Sequence, residues 1–72
     1  MKNVLVLKAN NEDTMLPKVL RVLAQQDLLI KDLHMSTVSK NEVKIKIEFV
    51  NSTCDFAAKM LSKQIDVLSI SC

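Results

Sequence analysis

The seven residues Val43-Lys44-Ile45-Lys46-Ile47-Glu48-Phe49 alternate apolar and charged without a break. Side chains of an extended backbone point to opposite faces with a period of two. The segment therefore predicts a strand with Val43, Ile45, Ile47 and Phe49 on a core face and Lys44, Lys46 and Glu48 on a wet one. A strand with one apolar face needs neighbours in a sheet and a second layer to cover that face.

The flanking sequence supplies both. Asn3 to Ala9 is a short, nearly continuous apolar run, which suits a strand central in the sheet. Asp13 or Thr14 is placed to cap a following helix, and Pro17 fits a first turn. Leu16, Val19, Leu20 and Leu23 recur at i, i+3, i+4 and i+7 and predict its buried stripe. Gln25-Gln26-Asp27 ends this helix without the usual glycine, and a second strand is expected from Leu28 to about Ser39. Ser39-Lys40-Asn41-Glu42 turns the chain back into the alternating segment. Asn51-Ser52-Thr53 then offers caps for a second helix through Ser62, with Phe56, Ala57, Met60 and Leu61 inward, and a last strand runs from Ile65 to Ser71. The order β-α-β-β-α-β is the split βαβ, an α+β ferredoxin-like arrangement over residues 1–72. Four antiparallel strands carry two helices on one face, with the first and third strands central.

Size narrows the functional classes. A chain of 72 residues is too short to combine a catalytic cleft with a separate cofactor unit, and no cofactor or metal site is expected. The formal charge of +2 gives no reason by itself to expect nucleic acid. No apolar run approaches the length of a membrane span, and Met1-Lys2-Asn3 opens no signal peptide, so a cytoplasmic location is expected. Cys54 reads as a small core residue and Cys72 as a terminal thiol, since the two form no C-x-x-C pair. A domain this small buries only about 60% of the surface its unfolded chain exposes, which favours association. The long second strand is an edge, and Leu29, Leu33 and Met35 are expected to share one face of it as a dimer interface.

Three sets of polar residues invite chemistry. Asp32, His34 and Ser36 contain the residue types of a hydrolase triad, but same-face neighbours on one strand stand roughly 7 Å apart, too far for a nucleophile and its base. No catalytic residue is assigned. Lys44 and Lys46, with Lys2 and Lys8, suggest a basic open sheet face. RNA-binding sheets of this topology stack bases on aromatic rings, and the chain holds only Phe49, in the apolar set, and Phe56, in a helix. A solvated face is the simpler reading. The third set is the loop Asn11-Glu12-Asp13-Thr14-Met15, where a strand end empties into a helix. Backbone N–H groups there have no partner within the helix and can receive a carboxylate. Helix capping accounts for the same residues equally well.

Two blocks carry a resemblance. Asn11-Glu12-Asp13-Thr14-Met15-Leu16-Pro17-Lys18-Val19, with Leu29-Ile30-Lys31-Asp32-Leu33 further on, is similar to the N-E-x-G-x-L-x-R-V and N-I-x-S-L pattern of ACT domains. Lys59-Met60-Leu61-Ser62-Lys63-Gln64-Ile65-Asp66-Val67-Leu68-Ser69-Ile70-Ser71 resembles the K-x-L-x-K-L-V-D-V-x-x-V-S closing of one branch, the small regulatory subunit of acetolactate synthase (acetohydroxyacid synthase), in its short single-domain form. The resemblance implies a non-catalytic, dimeric, cytoplasmic subunit of branched-chain amino-acid biosynthesis. Its partner would be the catalytic large subunit, which holds thiamine diphosphate, FAD and magnesium. It also implies an amino-acid site at Asn11, Glu12, Asp13, Thr14 and Met15 with Leu29 and Ile30, and no nucleic-acid or membrane partner. Thr14 replaces the family's glycine, Leu29 replaces an asparagine of valine-sensitive members, and Asp27 replaces a helix-end glycine. The first two changes crowd the site and remove a polar contact, so feedback control is expected to be weakened. A free-standing ACT domain that senses an amino acid is the alternative.

Overall fold

The computed structural model describes residues 3–72, so Lys2 lies outside the described residues. Its elements are β1 (Val4–Asn10), α1 (Met15–Gln25), β2 (Ile30–Ser39), β3 (Glu42–Phe49), α2 (Cys54–Gln64) and β4 (Ser69–Ser71). They form one antiparallel sheet of order β2-β3-β1-β4 under two helices, the ferredoxin-like arrangement. β1 and β3 are central and pair over seven positions, from Val4↔Glu48 to Asn10↔Glu42. The alternation of β3 holds in full: Val43, Ile45, Ile47 and Phe49 are buried. They meet Leu5, Leu7 and Ala9 from β1 and Met15, Val19, Leu23, Ala57 and Leu61 from the helices. Complete burial of Ile45 or Ile47 contributes about 1.5–3 kcal/mol relative to leaving it exposed.

The helix faces differ from the sequence pattern. On α1 the buried set is Met15, Val19, Val22 and Leu23, while Leu16 is half-buried and Leu20 is 40% exposed. Met15 and Val22 lie on the side of α1 that packs beside α2, so contact between the helices rotates the buried stripe away from Leu20. On α2 the inward residues are Cys54, Ala57 and Leu61; Met60 is half-buried and Phe56 is 44% exposed.

The helix ends are fixed by local chemistry. The Thr53 hydroxyl accepts the Phe56 N–H at 3.3 Å as an N-cap, and Asp55 in the first turn and Lys63 in the last complement the two ends of the helix dipole. At the end of α1, Asp27 N–H donates to the Ala24 carbonyl and Leu28 N–H to the Leu23 carbonyl, with Asp27 at φ 56°. This is a Schellman stop with an aspartate in the left-handed position that glycine favours. Asn51 secures the same turn from across the sheet: its Nδ2 donates to the Asp27 carbonyl at 3.0 Å and its Oδ1 accepts the Leu29 N–H at 2.9 Å.

Three further expectations change. β2 starts at Ile30, and the pairing shifts between Ile30 and Asp32, so one extra residue resets which side chains face the core. Leu33 and Met35 do share the core-side face, opposite Ile47 and Ile45, but Leu29 lies before the strand, 58% exposed, and does not join them. β4 is only Ser69–Ser71, because Ile65–Leu68 runs irregularly and only the Leu68 N–H reaches β1, at the Lys8 carbonyl. Cys54 is buried as expected, but Cys72 is no free thiol. The two cysteines form a disulfide with their Cα atoms 5.8 Å apart, because the fold returns β4 to the start of α2.

Candidate functional site

The loop from β1 to α1 is tied to the hairpin beside it. Asn11 N–H donates to the Asn41 carbonyl at 2.9 Å, and the Asn11 side-chain amide donates to the Lys40 carbonyl at 3.3 Å. Two local bonds, Glu12 N–H to Asn10 and Met15 N–H to Glu12, fold the loop back on itself, and an exposed Glu12–Lys18 ion pair of 3.7 Å closes over it. Thr14 occupies the N-cap position, yet its side chain makes no capping hydrogen bond. Pro17 brings no N–H to the first turn. Among the described residues, the N–H groups of Asp13, Thr14 and Leu16 and the Asn11 Oδ1 have no protein partner. Capping thus uses only part of this loop.

Of the expected site residues, Met15 is buried and turned into the core, while Asn11, Glu12, Asp13 and Thr14 are exposed around the loop. Leu29 and Ile30 are elsewhere. Ile30 pairs with Phe49, at the end of β3 opposite Glu42, which pairs with Asn10. The length of β3 between those pairs separates the two halves of the expected site by roughly 20 Å. One copy of the chain does not bring them together.

A cavity of about 250 Å3 opens beside the loop, where Glu12, Met15 and Lys18 face Ser62, Gln64, Ile65 and Asp66 at the end of α2. The sequence pattern gave no sign of this contact, because only the packing of α1 against α2 places Ser62–Asp66 there.

The open sheet face carries Lys8, Lys44 and Lys46 together. Lys8 stands directly opposite Lys44, and Lys46 lies between Val6 and His34. Glu42 and Glu48 border them along β3, and Glu48 pairs with Lys31 at 3.6 Å. Asp32, His34 and Ser36 point to this face opposite Glu48, Lys46 and Lys44, spread along the strand. Phe49 is buried on the other face and Phe56 sits on α2, so this face has no aromatic platform for bases. Among the described residues no cluster of His, Cys, Asp and Glu is arranged to hold a metal ion, and no helix is long and apolar enough to cross a membrane.

The β2 edge has a different character. It is ten residues long and unpaired on its outer side, and Met35 and Val38 are exposed along it. Leu16 and Leu20 lie on the flank of α1 turned away from α2. No protein-family model matches the chain, and comparison with curated proteins returns no match.

Proposed function

We propose that this chain is a non-catalytic regulatory small subunit of acetolactate synthase, acting as a dimer on the catalytic large subunit in the cytoplasm. The observation that carries the reading is the division of the expected amino-acid site between opposite ends of the sheet, beside an unpaired β2 edge. A two-fold axis that pairs β2 with β2 of a second copy runs the two strands antiparallel. Leu29 and Ile30 of one copy then approach the Asn11–Thr14 loop of the other, and the apolar flanks carrying Leu20 and Met35 are covered. A regulatory element built this way couples ligand, dimer and catalytic partner, because whatever binds between the copies favours one arrangement of them. Thr14 and Leu29 narrow the site and make it less polar, which favours a role in holding the catalytic subunit active with weakened feedback control.

The test is co-expression with the catalytic subunit. Co-purification and a rise in turnover on adding the small subunit support the proposal; a folded dimer that leaves turnover unchanged refutes it.

A second reading, a free-standing amino-acid sensor, is favoured by the uncommitted groups of the loop. The N–H groups of Asp13, Thr14 and Leu16 suit a carboxylate, and Asn11 Oδ1 suits an ammonium group. A ligand at 100 times its dissociation constant adds about 2.7 kcal/mol to the folded state. A thermal-shift screen over the amino acids should then move the midpoint, and calorimetry with valine, leucine and isoleucine measures the affinity. Silence in both rejects this reading and leaves the first in place.

A further inference from the structure

The Cys54–Cys72 pair is placed to act on the fold. Cys54 is the first residue of α2 and is 1% exposed; Cys72 follows β4 and is exposed. Their bond ties the end of the sheet to the start of a helix across 18 residues of sequence. β4 has little else to hold it. It pairs with β1 at three positions only, Ser69 and Ser71 are exposed, and Ile70 is the single side chain of the strand that packs against the core. A segment with so few buried contacts opens at low cost unless a covalent bond retains it.

The two sulfurs are unequal. A thiol arriving from solvent meets Cys72, an exposed residue that lines a groove of about 430 Å3 between α2 and β4 with Asp55 and Lys59 in its wall. Lys59 offers a positive charge to the carboxylates of an anionic thiol. Cys54 is the first residue of α2 and is buried, so its sulfur is closed to a thiol arriving from solvent. Asp55 Oδ1 lies 3.7 Å from Cys72 Sγ and keeps negative charge off that sulfur. Attack at the exposed residue makes Cys54 Sγ the departing sulfur, and the Ser71 carbonyl oxygen 3.8 Å away accepts its S–H once it is protonated.

We propose that Cys54–Cys72 is a reversible redox clamp on β4 that exchanges with small anionic thiols of the glutathione class through attack at Cys72. A thiolate attacks Cys72 Sγ, the Cys54–Cys72 bond breaks, and a mixed disulfide forms on Cys72. The electron pair leaves on Cys54 Sγ, which takes a proton from water. A second thiolate attacks the small-molecule sulfur of the mixed disulfide and releases the oxidised small disulfide, leaving Cys72 as a thiol. Two thiols are oxidised and one protein disulfide is reduced; the oxidised small disulfide drives the reverse sequence. Reduction frees β4 from α2 and uncovers the outer edge of β1. In a reducing compartment such a bond is transient and regulatory.

The experiment equilibrates the full chain in glutathione buffers from fully reduced to fully oxidised. Thiol state and adduct position are read by mass spectrometry and strand opening by amide hydrogen exchange. Reduction is expected to speed exchange about tenfold or more at Ser69–Ser71 and at their β1 partners, while β2 and β3 stay protected. A partly oxidising buffer is expected to trap the mixed disulfide on Cys72. Cys72→Ser should show the fast β4 exchange in every buffer. Equal β4 protection in the reduced and oxidised chains overturns the clamp, as does a bond that glutathione neither forms nor breaks. An adduct on Cys54 overturns the direction of attack. The pair Cys54→Ala/Cys72→Ser separates opening of β4 from any thiol chemistry: slow exchange in that folded variant also overturns the clamp.

Discussion

The two edges of the sheet are opposites. β2 runs ten residues, its outer side is unpaired among the described residues, and Met35 and Val38 are exposed along it; β4 runs three residues and is bolted to α2 by a disulfide. A free strand edge is a template for another strand, and chains manage that hazard by shortening an edge, covering it or using it. Here β4 is short and held, whereas β2 is long and left open. The contrast makes β2 the edge that the proposed dimer would use and β4 the edge that ends the sheet.

Substitutions at the two edges should have unequal effects. Leu33→Glu puts a carboxylate on the core side of β2 opposite Ile47 and should cost about 3 kcal/mol or more, measured by urea unfolding. The chain is then monomeric or unfolded, and an intact dimer of wild-type stability would show that this face is not covered. At the other edge, Cys72→Ser removes a cross-link over 18 residues of sequence. The chain-entropy relation for a loop of that length gives a loss of about 3 kcal/mol, read as a lower urea midpoint under non-reducing conditions, with the dimer unaffected. Met35→Lys separates association from folding, because the side chain is 38% exposed in one copy. Unfolding of the monomer should shift by less than about 0.5 kcal/mol. The dimer dissociation constant should rise about tenfold, or ~1.4 kcal/mol, by analytical ultracentrifugation. The smallest effect is expected at the turn that feeds β2. Asp27→Gly relieves a left-handed residue at φ 56° and should stabilise by about 0.5–1 kcal/mol in thermal melts.

The sequence is legible where one local rule acts alone. The alternation of β3 needs only the two-residue period of a strand, and every inward residue was recoverable from it. The caps of α2 are local too, since Thr53 finds its partner three residues on. Legibility fails where a distant neighbour decides. Leu20 fits an apolar stripe as well as Val22 does, and only the position of α2 chooses between them. Leu29 fits the period of Leu33 and Met35 until the extra residue near Lys31 shifts the pairing with β3. For the candidate site, the loop residues were visible as unpaired donors ahead of a helix, but their separation from Leu29 and Ile30 was not. Asn51, which pins the turn before β2, gives no sign of that role in a pattern of its neighbours.

Element order, strand centrality and the core face of the sheet followed from the sequence by itself, because periodicity and capping depend on residues within a few positions of one another. Contacts between distant segments set the helix faces, the register shift that takes Leu29 off the Leu33 and Met35 face of β2, and the pairing of Cys54 with Cys72. Each depends on residues far apart in the chain meeting at one point, and a local pattern holds no record of that meeting.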